Sequence, residues 1–289
     1  GWAAVQQPEL RQLVREYTDR YAREEIDGYQ EKSARFRYLF SRLRTAAYAI
    51  VEDMAGELAQ SDFSPVAFEL GFGGKDGQLP AVTITEGDQR LSVSGKVDRV
   101  DGWLHDGRLY LRVVDYKTGK KSFDLSDLRY GLGIQMLLYL FSLTRDPSGR
   151  FTGAEPAGVL YLLADPAPET TTRGKAARSM EYKLDGLVRD EQKVFDAMDA
   201  EETGRYLPFS FRGGVPSPYQ KEKRADRAKL SRIQLHLDDL VTRMGEQLYS
   251  GCIAAEPLVT GRSPCRWCDY GFICCHEDGI GERALDAPA

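Results

Sequence analysis

The sequence predicts an α/β fold in which helices flank a mixed central sheet, because strand-like and helix-like segments alternate along its 289 residues. Two amphipathic helical patterns open the chain, and a group of short β-rich segments follows. A strand, a helix and a second strand then occur in that order, which is typical of a crossover unit whose helix packs on the sheet. We therefore expect a single α/β domain over residues 1–289.

Two helices are expected within residues 1–60. Apolar residues recur there at helical spacing, and Gly28 separates the two patterns. The first pattern is Leu10, Leu13, Val14, Tyr17 and Tyr21, and the second is Phe36, Leu39, Phe40, Leu43, Ala47, Ile50, Val51, Met54 and Leu58.

Residues 61–164 are expected to form the sheet and a helix packed on it. Short β-rich segments with intervening turns predict a strand meander: PVAFELGF, PAVTITEG, LSVSGKVDRV and RLYLRVVDYK. The next segment, DLRYGLGIQMLLYLFSLT, is too long for a typical strand and has one broad apolar face, so it predicts one helix despite two glycines near its start. Residues 157–164, AGVLYLLA, then predict a buried strand.

Residues 165–250 predict a loop and further helices, and residues 251–289 a cysteine-rich tail. The stretch 165–180 is rich in Pro, Thr and charge without periodicity, which is typical of a loop. Apolar spacing from Leu230 to Leu248 predicts a helix. We interpret the basic run KEKRADRAK before that helix as a solvated face.

The composition limits the possible functions. A formal net charge of −5 argues against a surface that is basic throughout, so nucleic-acid contacts have to use local patches. No stretch approaches the ~18 consecutive apolar residues of a membrane span, and the N-terminus lacks the regions of a signal peptide. These features predict a cytoplasmic protein with no membrane contact. Five cysteines, four of them crowded between Cys265 and Cys275, suit metal or cluster binding better than a disulfide framework.

Two aspartates and a lysine are expected to converge on one face of the sheet. Asp115 and Lys117 stand two residues apart at a strand end, so they project to the same face. Asp98 lies on the preceding strand, and a turn at residues 104–107 predicts a hairpin that brings it near Asp115. Carboxylates of this kind bind Mg²⁺, and a fixed ammonium group stabilises charge on a phosphate.

The helix that follows contributes Gln135 and Tyr139, which share a face at i, i+4 spacing. That face can meet a DNA backbone or hold the catalytic strand. The alternative is that Asp115 and Lys117 are a solvated strand end and Asp98 an ordinary acid. Asp101 competes with Asp98, although its opposite parity means that one of the two acids faces Asp115.

The run GKVDRVDGWLHDGRLYLRVVDYKTGKKSFDLSDLRYGLGIQMLLYLF resembles the nuclease core of RecB-family PD-(D/E)XK enzymes, and most closely the C-terminal domain of AddB-type helicase–nuclease subunits. EKSARFRYLFSRL and SPCRWCDYGFICC also fit that family. The resemblance implies a restriction-endonuclease-like core. It also implies that Asp98, Asp115 and Lys117 are the metal and catalytic residues, followed by the helix motif of Gln135 and Tyr139.

The resemblance implies two further metal ligands. One is an acid on an early strand, for which Glu69 is the candidate, with a solvent-facing strand acid as the alternative. The other is a histidine on an early helix, which none of His105, His236 and His276 fits. We therefore expect the histidine upstream of an N-terminally truncated chain, and weak or no activity of this chain alone.

Cys265, Cys268 and Cys274 bring three thiolates within a short segment, and thiolates are ligands of iron–sulfur clusters and Zn²⁺. The resemblance implies a [4Fe–4S] cluster completed by an upstream cysteine that this sequence does not contain. The fourth ligand is therefore either lost or replaced by Cys252 or Cys275. A four-thiolate zinc site with Cys252, and unligated cysteines, are the alternatives.

The resemblance implies a Mg²⁺- (or Mn²⁺-) dependent DNA exonuclease that cuts single strands delivered by an AddA-type helicase–nuclease subunit during double-strand break repair. Positive charge for a DNA strand is available beside the site and on the second helix, at Lys117, Lys120, Lys121, Arg35, Arg37, Arg42 and Arg44. One alternative is a DNA-binding or scaffolding domain with an inactive nuclease site. Another is a stand-alone exonuclease of the CRISPR-associated or other RecB-like kind.

Overall fold

A computed structural model of the chain describes residues 7–73, 77–86, 89–117, 122–145, 149–163, 184–201, 204–212, 214–259 and 263–284. The helices are α1 Gln7–Glu25, α2 Ala34–Gln60, α3 Gln135–Thr144, α4 Gln192–Met198, α5 Arg227–Tyr249 and α6 Gly271–Cys274. The strands are β1 Ser64–Phe72, β2 Val82–Glu86, β3 Gln89–Val93, β4 Gly95–His105, β5 Arg108–Lys117, β6 Glu155–Leu163, β7 Leu184–Arg189, β8 Phe211–Arg212, β9 Val215–Pro216, β10 Arg224–Ala225, β11 Leu258–Val259 and β12 Arg283–Ala284. Lys120, Lys121 and the predicted loop at 165–180 lie outside the described residues.

The central sheet has six strands in the order β1-β4-β5-β6-β7-β10. β5 and β6 pair in parallel, and α3 connects them, so the expected crossover unit is present. β4 is antiparallel to β1 and β5, and β6 is antiparallel to β7. The sheet is therefore mixed, which confirms the predicted α/β class. The prediction that the sheet ends by residue 164 was wrong, because β7 and β10 add two strands from the following segment.

The β4–β5 hairpin confirms the expected turn. Asp106 and Gly107 both have positive φ, 49° and 72°, a combination typical of the tight turns that suit twisted antiparallel strands. The segment LSVSGKVDRV does not form one strand, because it divides after Val93 between a small β2–β3 sheet and the main sheet.

The single long helix predicted from DLRYGLGIQMLLYLFSLT was wrong. A 3₁₀ helix covers Ser126–Tyr130, and α3 begins at Gln135. Between them Gly131 and Gly133 have φ of 75° and 65°, a backbone conformation that a continuing right-handed helix cannot contain.

Apolar clusters cover both faces of the sheet. On one face, which we call the α3 face, Leu137 and Leu140 of α3 and Leu237 of α5 pack with Val113 of β5. On the other, the α2 face, residues of α2 and α4 pack against Val114 and other side chains of the opposite parity. Neighbouring residues of one strand therefore belong to different environments. Among the described residues, no helix is long and apolar enough to cross a membrane.

Candidate active site

Asp115 and Lys117 form an ion pair at the end of β5. Lys117 Nζ lies 2.5 Å from Asp115 Oδ2, and the Asp115 side chain is 9% exposed against 30% for Lys117. Val113, two residues earlier, packs in the α3-face cluster, so Asp115 projects to that face. The predicted pairing of a buried carboxylate with a more accessible cation is therefore present.

Asp98 is fixed against the same strand. The β4–β5 register is described up to Arg99 opposite Val114, and its continuation brings Asp98 opposite Asp115. The Asp98 Oδ2 atom accepts a hydrogen bond from the backbone N–H of Tyr116 at 3.0 Å. Because Tyr116 separates Asp115 from Lys117, this bond holds Asp98 beside both residues.

Gln135 and Tyr139 lie on α3, and Gln135 Nε2 donates to the Tyr139 hydroxyl at 2.7 Å. Tyr139 is buried and packs edge-on against Phe72 of β1. Its hydroxyl lies so close to Gly95 at the start of β4 that a Cβ there would stand 2.5 Å from the oxygen. The pair therefore contacts the strand that carries Asp98, and Gln135 remains exposed.

Glu69 and the cysteines do not join comparable groups. Glu69 of β1 forms an ion pair with Lys96, and its side chain is 63% exposed. Within the described ranges, no three His, Cys, Asp or Glu side chains are grouped as a metal site, so neither Glu69 with the two aspartates nor Cys265, Cys268 and Cys274 converge. The three thiols have the right chemistry for a cluster but not, in this arrangement, the geometry.

The residues at Asp115 suit a hard divalent cation. Asp115 Oδ2 is buried and accepts no hydrogen bond of normal geometry from the described residues, although Lys117 Nζ is near. A buried carboxylate oxygen without a donor is costly unless a cation satisfies it. Two carboxylates also match the oxygen ligands that Mg²⁺ prefers.

A row of polar side chains continues from Asp115 across the α3 face. Asp115 is in register with Tyr161 of β6, and Tyr161 with Asp185 of β7. Burial raises the pKa of Tyr161 to about 12, and the charges of Asp115 and Asp185 act in the same direction. The Tyr161 hydroxyl therefore stays protonated between two carboxylates at neutral pH.

Asp185 also anchors the segment that leaves the strand of Asp115. Its Oδ2 accepts from the backbone N–H of Phe123 at 2.8 Å, and its Oδ1 lies 2.5 Å from Lys223 Nζ. Lys223 Nζ in turn donates to the Phe123 carbonyl at 2.7 Å. We call Asp185, Lys223 and Phe123 the clamp. The interpretation of KEKRADRAK as a solvated face was wrong for Lys223, whose side chain is 16% exposed.

The opposite face of the same two strands carries a buried ionic network of Glu57, Arg99, Asp101 and Arg112. Arg112 Nε lies 2.8 Å from Asp101 Oδ2, Arg112 Nη2 2.6 Å from Glu57 Oε1, and Arg99 Nη2 3.0 Å from Asp101. Asp101 thus belongs to the α2 face, as its parity predicts. Burial favours the neutral acid at Glu57, but Arg112 and Arg99 outweigh it and lower its pKa.

This geometry of an acid strand, a D-x-K strand and a helix within a mixed sheet has a match among known families. A profile of the PD-(D/E)XK nuclease superfamily matches residues 3–275. The chain belongs to that superfamily. The restriction-endonuclease-like fold class that the resemblance implies is therefore confirmed.

Curated relatives of this PD-(D/E)XK domain are named as the second subunit of an ATP-dependent helicase/deoxyribonuclease. The protein of Clostridium tetani is 28% identical over 97% of this chain, and that of Symbiobacterium thermophilum 32% over 89%. The protein of Oceanobacillus iheyensis is 30% identical over 84%. The chain spans about a quarter of their length, covering 25%, 23% and 22% of them respectively. These names confirm the resemblance to AddB-type helicase–nuclease subunits.

The three histidines of the domain lie away from Asp115 along the fold. His105 stacks on Trp103 at the hairpin turn, His236 of α5 contacts the Leu128 carbonyl, and His276 follows the cysteines. Sequence reasoning did not find Tyr161, Asp185 or Lys223. A tyrosine inside the apolar run VLYLL was the available signal for the first, whereas no local pattern pairs the other two.

Proposed function

We propose that this PD-(D/E)XK domain hydrolyses DNA phosphodiester bonds with Mg²⁺ or Mn²⁺, as the exonuclease part of a helicase–nuclease complex that processes double-strand breaks for recombinational repair. The observation that carries the proposal is the buried Asp115 carboxylate, paired with Lys117 and flanked by Asp98, in a chain of this superfamily. The intact ion pair favours an active site over an inactive scaffolding domain.

Each residue has a distinct role in the proposed reaction. Asp98 and Asp115 would hold the divalent ion, which when bound polarises a phosphoryl oxygen and lowers the pKa of a bound water. Lys117 keeps an ammonium beside the scissile phosphate, and its partial exposure leaves it reachable by substrate. Tyr139 fixes Gln135, whose exposed amide can contact the DNA backbone.

Removal of divalent metal tests this proposal. We expect the complete protein that carries this domain to degrade DNA with added Mg²⁺, and to lose at least ~10³-fold in rate with excess EDTA, because metal-derived charge stabilisation amounts to several kcal/mol. Cleavage of labelled single-stranded DNA measures the effect. Cleavage that continues unchanged in EDTA would contradict the role of the two aspartates.

The substrate and partner are proposed from the names of the relatives. Those proteins are helicase/deoxyribonuclease subunits, so DNA is the proposed substrate and a second subunit of the AddA-type helicase–nuclease class the proposed partner. A strand unwound by a helicase arrives single, and we propose that it is threaded past Lys117. A stand-alone RecB-like exonuclease is less well supported, because this chain matches only 25% of the length of such a relative.

We also propose that Cys265, Cys268 and Cys274 bind a [4Fe–4S] cluster in the complete protein, on the basis of their spacing and the resemblance. Because the thiols do not converge here, no catalytic step depends on it. We expect bound iron in the anaerobically purified complete protein and its loss in Cys268→Ser, since thiolates are the cluster ligands. Elemental analysis measures both, with the exposed Cys252→Ser as a control. Zinc in place of iron would favour the four-thiolate alternative.

A further inference from the structure

A groove on the α3 side of the molecule has a basic rim and an apolar floor. It lies between the 3₁₀ helix Ser126–Tyr130 and the first turns of α5, and its volume is about 500 Å³. Its lining consists of Leu125, Leu128, Arg129, Lys229, Arg232, Ile233 and His236. Three of these side chains are apolar, three carry a permanent positive charge and none is acidic.

The charge of the groove is available to a ligand. Arg129 and Arg232 are exposed, and the ion pairs of the described residues involve neither of them. The nearest acid along α5, Asp226, is the N-cap residue and accepts from the Lys229 backbone N–H at 2.6 Å. A positive rim without internal neutralisation attracts phosphates.

The groove is held in a fixed shape because both of its walls are tied to the clamp. Phe123 leads in two residues to Leu125 on one wall, and Lys223 leads in four residues to the start of α5 on the other. The walls also touch directly, because a Cβ on Gly131 would lie 2.9 Å from Met244 of α5. A preformed groove binds without the entropic cost of first becoming ordered.

The clamp also places the groove near the candidate catalytic carboxylate. Asp185 stands two strands from Asp115 in the register row through Tyr161. Neighbouring strands are ~4.8 Å apart, so Asp185 and Asp115 are separated by about 10 Å along the sheet. The groove therefore starts close to the site and on the same face.

We propose that this groove is a binding site for single-stranded DNA on its way to Asp98, Asp115 and Lys117, a proposal that rests on the proposed nuclease function. Bases lie against Leu125, Leu128 and Ile233, and phosphates contact Arg129, Lys229 and Arg232. This combination of an apolar platform with a cationic rim suits single strands without sequence preference. A protein segment is a poorer occupant, because the lining offers no acid to pair with a basic side chain.

Charge reversal of two rim residues tests the site, with a matched pair elsewhere as the control. We expect Arg129→Glu with Arg232→Glu in the complete protein to raise the KM for a single-stranded oligonucleotide roughly tenfold, with kcat unchanged. The salt dependence of affinity should weaken by about 1.4 in log–log slope, since ~0.7 is lost per phosphate contact. Arg35→Glu with Arg42→Glu on α2, also exposed, makes the same change of charge and should shift KM less than about twofold.

Crosslinking locates the ligand independently of folding or charge. A photoreactive p-benzoylphenylalanine in place of Arg129 should crosslink to labelled oligonucleotide in Ca²⁺, whereas the same group in place of Arg42 should not. Equal KM shifts in both pairs, or a crosslink to protein instead of DNA, would overturn the proposal. If the wild type cleaves DNA and the groove variant is unaffected, the groove alone is overturned. If the wild type neither binds nor cleaves DNA, the proposed function is overturned.

Discussion

Asp115→Ala is expected to lower the rate of Mg²⁺-dependent DNA cleavage by the complete protein at least ~10³-fold, because it removes the buried carboxylate that would hold the metal. Lys117→Ala should cost ~10²–10³-fold through the loss of a fixed charge beside the phosphate. DNA affinity should change little, since many separate Lys and Arg contacts supply it. Single-turnover cleavage and DNA-binding titration in Ca²⁺ measure the two quantities separately.

The neighbouring strands provide a matched comparison. Lys96 and Glu69 form an ion pair on β1 and β4, exposed where the Asp115 and Lys117 pair is partly buried. Lys96→Ala should leave cleavage within about threefold of wild type, as exposed pairs contribute little. Glu69→Ala decides the remaining metal-ligand prediction, because a loss as large as that of Asp115→Ala would make Glu69 a ligand. Equal losses of binding and cleavage in Asp115→Ala would instead mean a structural role for the constellation.

Arg112→Met is expected to reduce the free energy of unfolding by ~3–5 kcal/mol, because it leaves the Glu57 and Asp101 carboxylates buried with one compensating arginine. The double variant Glu57→Gln with Arg112→Met restores charge balance and should cost less than the single change. Urea unfolding measures both. Asp239→Asn, which removes an exposed pair in α5, is the control and should cost under ~1 kcal/mol. A cost for Arg112→Met no larger than this would contradict a stabilising network.

The network also predicts a pH dependence. Burial favours protonated Glu57, but Arg112 and Arg99 overcome this effect and place its pKa below the ordinary 4.5. A depressed pKa contributes stability above pH 4.5 that is lost as the pH falls through the lower value. The wild type should therefore lose stability below pH 4.5 more steeply than the double variant. Urea midpoints measured from about pH 3 to about pH 7 give this comparison.

The network lies directly behind the site, so its loss should reach catalysis. Arg99 and Asp101 alternate with Asp98 along β4, and Arg99 Nη1 donates to the Tyr116 hydroxyl at 3.3 Å. Tyr116 is the residue whose backbone N–H holds Asp98. One pair of strands thus presents the proposed metal ligands on one face and their support on the other.

The sequence was informative wherever spacing along one element determines geometry. The i, i+2 separation of Asp115 and Lys117 places both on one strand face, and the i, i+4 separation of Gln135 and Tyr139 brings their side chains to 2.7 Å. The Asp106–Gly107 turn makes the hairpin that carries Asp98. Where two backbone conformations compete, local pattern was insufficient, and Gly131 and Gly133 divided a segment with continuous apolar spacing.

By itself the sequence determined the α/β class, the hairpin and the candidate carboxylates and lysine of the site, because periodicity and turn chemistry act over a few residues. Tertiary structure alone decided which distant charges meet. Asp185 and Lys223 are 38 positions apart, and Glu57 and Arg99 42 apart. Such pairs are set by strand order and by how helices cover the sheet, which no local spacing encodes. The same topology joins the groove at Arg129 and Arg232 to the strand of Asp115.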